Sequence, residues 1–184
     1  MDFLFEEDLH YSFVEYGGSC ITHWSFLDEE KHPIDVERLC GRLFLIADHD
    51  EGKGVRHAHL KNSLGNRFHR LKCREVENLL TPAVICDVIR DYAGSPDLQL
   101  QPFEQEDYKS EPLGTFIDDT VLKGLKKPKG AKKLRSFQAP FGTIKDKLGF
   151  ARRAISNIET PEDVSLEAKR LIKKIVSFIR ENNP

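Results

Sequence analysis

The chain has 184 residues, 39% of them apolar, with 28 lysines and arginines against 30 aspartates and glutamates. This length suits one domain with a peripheral element, and a formal net charge of −2 excludes a global basic field that recruits polyanions. No apolar run approaches the ~20 residues of a membrane span, and the acidic start MDFLFEEDLH lacks the pattern of a signal peptide.

In chain order, Tyr11 to Tyr16 (YSFVEY) has the content of a strand and ends at Gly17-Gly18. Ser19 then caps a short predicted helix through ITHWSFL, and Pro33 to Leu39 reads as a second short helix or a connection. Leu43 to Ala47 is a continuous apolar strand of the kind covered on both faces. After Gly52-Lys53-Gly54, VRHAHLKNSL predicts a helix with Val55, Ala58, Leu60 and Leu64 on one face, stopped by Gly65-Asn66. Arg67 to Leu71 predicts a strand. Thr81 as cap and Pro82 at the first helical position open a helix through AVICDVIRDY, ended by Gly94-Ser95-Pro96.

This alternation predicts an α/β fold with a parallel sheet flanked by helices. From about 97 to 140 the chain is polar and rich in Pro and Gly, with one helical patch at Pro112 to Leu125. Two amphipathic helices follow. Thr143 to Ile158 buries a stripe of Leu148, Ala151, Ala154, Ile155 and Ile158; Ser165 to Ile179 has an apolar face of Leu166, Ala168, Leu171, Ile172, Ile175, Val176 and Ile179. The expected organisation is an α/β core over 1–93, a charged insertion over 94–140 and C-terminal helices packing on the core over 141–184. The cysteines Cys20, Cys40, Cys73 and Cys86 form no CxxC pair and read as reduced thiols of a cytoplasmic protein.

The strand LFLIA runs straight into Asp48-His49-Asp50. Two residues apart on an extended backbone, the carboxylates of Asp48 and Asp50 point to one side, and their mutual repulsion favours a cation. Such oxygen ligands suit Mg2+ or Mn2+, and the carboxyl ends of parallel strands are where ligands bind. The plainer reading is that a strand ends and a polar turn begins. Glu75 and Glu77 follow the next strand and are candidates to complete the cluster, or belong to a polar helix start. Arg74 is an ion-pair partner or a phosphate clamp.

Lys123 to Arg135 carries seven basic residues and no acidic one. It is either a solvated loop or a contact to a phosphate backbone through Lys126, Lys127, Lys132 and Lys133. His57 and His59 at i and i+2 of a helix diverge and make a poor metal pair. Gly52-Lys53-Gly54 lacks the spacing of an ATP-binding loop. Trp24 and the twelve phenylalanines read as core rather than as platforms for nucleobases.

A strand ending in ADHDEGKG, a helix, the strand RFHRLKC and then REVENLLTPAVI resemble the Toprim domain of the OLD family, whose members join an ABC-type ATPase to a C-terminal Toprim nuclease. The resemblance covers roughly Tyr11 to Tyr92, and REVENLL is its most specific piece. It implies that Asp48 and Asp50 coordinate the divalent metal and that Glu75 and Glu77 belong to the acidic site. It also implies a lysine near the start of a late helix, Lys147 first and Lys145 second. Toprim domains begin with a strand that delivers a glutamate in a V-E-G-x-x-D-like setting, which this chain lacks. Glu15 in FVEYGGS imitates it, but YGGS fits the family's second strand and turn better.

The expectation is therefore a Toprim domain without its first strand–helix unit: a fragment, a split-gene product or a degenerate domain. The implied activity is metal-dependent DNA cleavage in anti-phage defence or DNA processing. The implied partners are DNA, an ABC-type ATPase domain or subunit and a second copy of the chain, and no membrane. The alternative is a catalytically inactive Toprim-like subunit for assembly or nucleic-acid binding. A flavodoxin-like or receiver-like domain has less support in the residues.

Overall fold

The computed structural model describes residues 4–14, 24–25, 34–35, 42–49, 54–125, 134 and 136–183. The chain is mixed α/β and divides into two compact units, Met1–Arg70 with Leu171–Pro184, and Leu71–Arg170.

In the first unit, β1 (Trp24–Ser25) pairs in parallel with β2 (Ile34–Asp35). The predicted helix through ITHWSFL, and the helical alternative for Pro33 to Leu39, are corrected at the residues described there, which are extended; the rest of both segments lies outside the described residues. Seven residues near helical spacing are too short to decide between periods, and one turn of helix has little stability of its own. Of the predicted strand over Tyr11 to Tyr16, Tyr11 makes an isolated bridge to Glu7, and Ser12, Phe13 and Val14 have no regular structure. Its last two residues lie outside the described residues.

β3 (Leu45–Ala47) and β4 (Phe68–Arg70) form a second parallel pair with Leu45 opposite Phe68 and Ala47 opposite Arg70. Helix α1 (Gly54–Leu64) connects them, as a parallel crossover requires. Among the described residues the strands make these two separate pairs rather than one wide sheet. Leu60 and Leu64 pack with Leu45 and Phe68. The predicted helix face is corrected by a rotation, because Val55 and Ala58 are exposed while His57 is buried, its ring centroid 5.9 Å from that of Phe68. A positive φ of 57° at Gly65 turns the chain out of the helix, and Lys61 Nζ donates to the Gly65 carbonyl at 2.9 Å. The C-terminal stretch of α6 (Leu166–Asn182) belongs to this unit from Leu171 onward, with the Phe178 ring 5.5 Å from Phe44 and Lys174 Nζ 3.1 Å from His69 Nδ1.

The second unit is built on α2 (Pro82–Ala93), which buries Val84, Ile85, Val88, Ile89 and Ala93. Its ends follow from local chemistry. Thr81 accepts from the Val84 N–H, Pro82 occupies the first turn, and Gly94 takes φ 59°. Around α2 lie α3 (Gln105–Tyr108), α4 (Leu113–Phe116) continuing into a π-helical turn at Ile117–Val121, and α5 (Lys147–Ser156). Tyr108, Leu113, Ile117, Val121, Phe137, Ile144, Phe150 and Ala154 complete the core.

The predicted stripe of α5 is corrected. Phe150 and Ala154 are buried, while Leu148 is 64% and Ile155 71% exposed. Both stripes exist in the sequence, and the one carrying the larger phenyl ring gains more from burial.

Gly114 sits where α4 meets the chain after Phe137. A Cβ there would lie 2.5 Å from the Thr143 carbonyl oxygen and 2.7 Å from that of Gly142, both backbone atoms. Gly114→Ala is expected to destabilise the protein by about 2 kcal/mol, because backbone cannot move aside cheaply. Thermal unfolding checks this against Gly54→Ala, where the new methyl meets nothing within 4 Å and no loss is expected. Equal melting temperatures would mean the close approach imposes no constraint.

Candidate functional site

Asp48 follows β3 directly and is exposed at the strand's carboxyl end, the position the sequence assigns to it. Asp50, and with it Lys126, Lys127, Lys132 and Lys133, lie outside the described residues.

The REVEN segment belongs to the second unit and is one 3-10 turn, Val76–Leu79. Glu75 caps it. Its side chain accepts from the Asn78 N–H, while Asn78 Oδ1 accepts from the Glu75 N–H at 3.0 Å, a reciprocal capping box. Glu75 is buried in doing so, and its carbonyl accepts from the Cys73 thiol at 3.2 Å. Asn78 is fully buried and donates from Nδ2 to the Tyr108 carbonyl at 2.5 Å and the Glu111 carbonyl at 3.0 Å.

Further bonds tie the segment to α3. The Arg74 N–H donates to the Lys109 carbonyl at 2.8 Å, Gln105 Nε2 to the Asn78 carbonyl at 3.1 Å, and the Tyr108 hydroxyl to the Leu80 carbonyl at 2.6 Å. Burial pushes the Tyr108 phenol well above its ordinary range, so it remains a donor. Sequence reasoning missed Asn78. The Glu-x-x-Asn spacing of a capping box was its only local signal.

Glu77 projects from this turn with its side chain 11% exposed. Its Oε1 lies 3.2 Å from the ammonium of Lys147, the first residue of α5, whose side chain is 53% exposed. Glu77 Oε2 is buried and accepts no hydrogen bond. The N-terminus of α5 is fixed by Asp146, which accepts from the Gly149 N–H at 3.0 Å and from the Tyr92 hydroxyl at 3.0 Å. Those two bonds, the backbone one first, hold the Asp146 carboxyl below its usual range. The Arg153 guanidinium lies 4.0 Å over the Tyr92 ring. Gly149 leaves room for the folded-back carboxylate, since a Cβ there would collide with it. Lys145 is exposed, and its backbone N–H donates to the Phe137 carbonyl at 2.8 Å.

Of the residues assigned from the sequence, the structure brings Glu77 and Lys147 into contact, makes Glu75 a cap, and leaves the Arg74 side chain half-buried. Asp48 belongs to the other unit. Among the described residues no three His, Cys, Asp or Glu side chains converge as a metal cluster. The bare buried oxygen of Glu77 is a donor of the kind a hard cation takes, while the Lys147 ammonium already balances the charge of the same carboxylate. Among the described residues no helix is long and apolar enough to cross a membrane. Comparison with protein-family models, curated proteins and solved structures finds no match to this chain.

Proposed function

We propose that the chain is a Toprim-type, metal-dependent DNA endonuclease module that works with an ABC-type ATPase domain or subunit. The observation that supports this reading is the ion pair between Glu77 and Lys147, two residues far apart in sequence that the resemblance to OLD-family Toprim domains selects separately. Asp48 and Asp50, the carboxylates that the resemblance assigns to the metal, would hold Mg2+ or Mn2+. When bound, such an ion supplies Lewis-acid activation of water and neutralises the leaving oxygen. Lys147, half in solvent at a helix start, presents an ammonium for the charge that builds on a phosphate during cleavage. The basic residues between Lys123 and Arg135 would hold the DNA backbone.

A second reading, an inactive assembly or nucleic-acid-binding subunit, draws support from the same turn. Glu75 is used as a helix cap and Glu77 is already neutralised by a lysine, an arrangement stable without metal.

Calorimetric titration with Mn2+ separates the two. Weak saturable binding is expected for the wild type and is lost in Asp48→Asn and in Asp50→Asn. Absent binding, or binding indifferent to both changes, would leave only the inactive subunit.

A further inference from the structure

Between α4 and α5 the chain forms a tight loop whose construction is out of proportion to its length. Gln138 and Ile144 pair as an antiparallel bridge, the Ala139 N–H donates to the Thr143 carbonyl at 2.8 Å, and the Gly142 N–H donates to the Ala139 carbonyl at 3.0 Å. From outside the loop, the Asp118 carboxylate accepts from Ser136 Oγ at 2.5 Å and from the N–H groups of Phe137 and Gln138 at 3.0 and 3.2 Å. Phe137 and Ile144 anchor both legs in the core.

At the tip of this rigid loop stands Phe141, 93% exposed, with φ 69° and ψ 10°. Among the described residues the only other non-glycine with positive φ is Asp8, a residue type that tolerates the left-handed region. Folding does not account for Phe141. The phenyl gains no burial, and its Cβ opposes the backbone conformation that glycine would adopt freely, as Gly142 does next to it at φ 83°. A strained, exposed residue held in an over-determined loop points to a role other than folding.

The charge of the flanking sequence indicates which role. From Lys123 to Arg153 the chain carries eleven lysines and arginines and one acidic residue, Asp146. That carboxylate is already bound by Gly149 and Tyr92. Lys145, which follows the loop, is exposed, and so is Lys147 beyond it, which also pairs with Glu77. A flat apolar ring within a cationic stretch matches a polyanion that offers flat apolar faces, which is a nucleic acid strand with unpaired bases. An intact duplex hides those faces in its own stack.

We propose that Phe141 is a base-stacking residue and that the loop engages single-stranded or frayed DNA. The proposal rests on the nucleic-acid part of the function proposed above and narrows its substrate class. The loop is preorganised, so binding spends little free energy on ordering the ring.

The test is fluorescence anisotropy of the full chain with a fluorescein-labelled oligothymidine and with a labelled duplex of the same length. Phe141→Gly is expected to weaken single-strand binding about tenfold, the scale of one lost base–aromatic stack, while duplex binding stays unchanged. Its melting temperature should hold or rise, because glycine relieves the positive φ, and this excludes unfolding as the cause. Phe141→Trp should keep the single-strand affinity.

Wild-type single-strand affinity in Phe141→Gly overturns the proposal and leaves the DNA reading standing. Equal weakening on both DNAs also overturns it, since the ring would then serve a general contact. A variant that keeps DNA binding but loses association with the ATPase would make the ring a protein contact, again overturning it. A wild-type chain that binds neither DNA removes the nucleic-acid reading together with this one.

Discussion

On the function proposed above, Lys147→Ala is expected to lower DNA cleavage with the ATPase present about 100-fold or more, the usual scale for losing one group that stabilises transition-state charge. On the structure alone, it is expected to destabilise the fold. From the sequence alone, a lysine at the margin of a helix contributes little to stability. The pairing with Glu77 changes that expectation. Removing the ammonium strands a carboxylate whose side chain is 11% exposed and whose second oxygen already lacks a hydrogen bond. The cost is about 1–2 kcal/mol, moderated by the solvent that reaches the lysine side. Glu77→Gln should be milder in stability, because the lysine side chain is already 53% exposed and the amide carries no charge.

The double variant should then unfold close to Glu77→Gln alone. This asymmetry separates a buried carboxylate with a counter-ion from a surface pair, in which either change would be equally silent. Urea unfolding of the three variants measures it, and nicking of plasmid DNA in Mn2+ with the ATPase present measures the catalytic arm. Wild-type cleavage by Lys147→Ala would remove the lysine from the mechanism. Equal stabilities of Lys147→Ala and wild type would show that Glu77 is content without it.

What the sequence makes legible here is local chemistry. Thr81-Pro82 and Gly94 bound α2 because caps and φ preferences are properties of single residues. The apolar run before Asp48 and the strand at Phe68 pair as expected, with a helix between them. Burial direction is less legible. In α1 the polar His57 takes a core position that Val55 would fill by pattern, and in α5 Phe150 outweighs Leu148 and Ile155. Each choice depends on the partner surface, which the helix's own sequence does not contain.

The four residues of α3 carry no periodicity at all, and only the Glu104-x-x-Asp107 spacing marks its start. At the site, Glu77 is a candidate by type and by its place after a strand, whereas Lys147 is selected only by the resemblance to the OLD-family Toprim domain. Asn78 has no such mark, since a buried amide reads as an ordinary polar residue until its partners are placed. Phe141 is hidden more deeply: phenylalanine signals core, and a positive φ leaves no trace in composition.

Asn78 also gives the largest expected effect on stability. It is fully buried and serves three backbone groups, accepting from the Glu75 N–H and donating to the carbonyls of Tyr108 and Glu111. Asn78→Ala would leave all three without a side-chain partner and open a small void, at about 3 kcal/mol. Asn78→Asp is nearly isosteric and should be worse near neutral pH. One carboxylate oxygen can still accept from Glu75, but the other would face two carbonyl oxygens where the amide donates, and a buried charge gains no counter-ion.

The pH dependence then has a definite sign. Burial and the facing carbonyls raise the folded-state pKa of the new aspartate above its unfolded value of about 3.9. Protonation restores a donor, so the deficit relative to wild type should shrink as pH falls from 7 toward 5, whereas the Asn78→Ala deficit, with no titrating group, should stay constant. Thermal melts of the three proteins at both pH values decide it. An Asn78→Asp deficit that does not change with pH would mean that the amide's donor bonds do not hold the REVEN turn to α3.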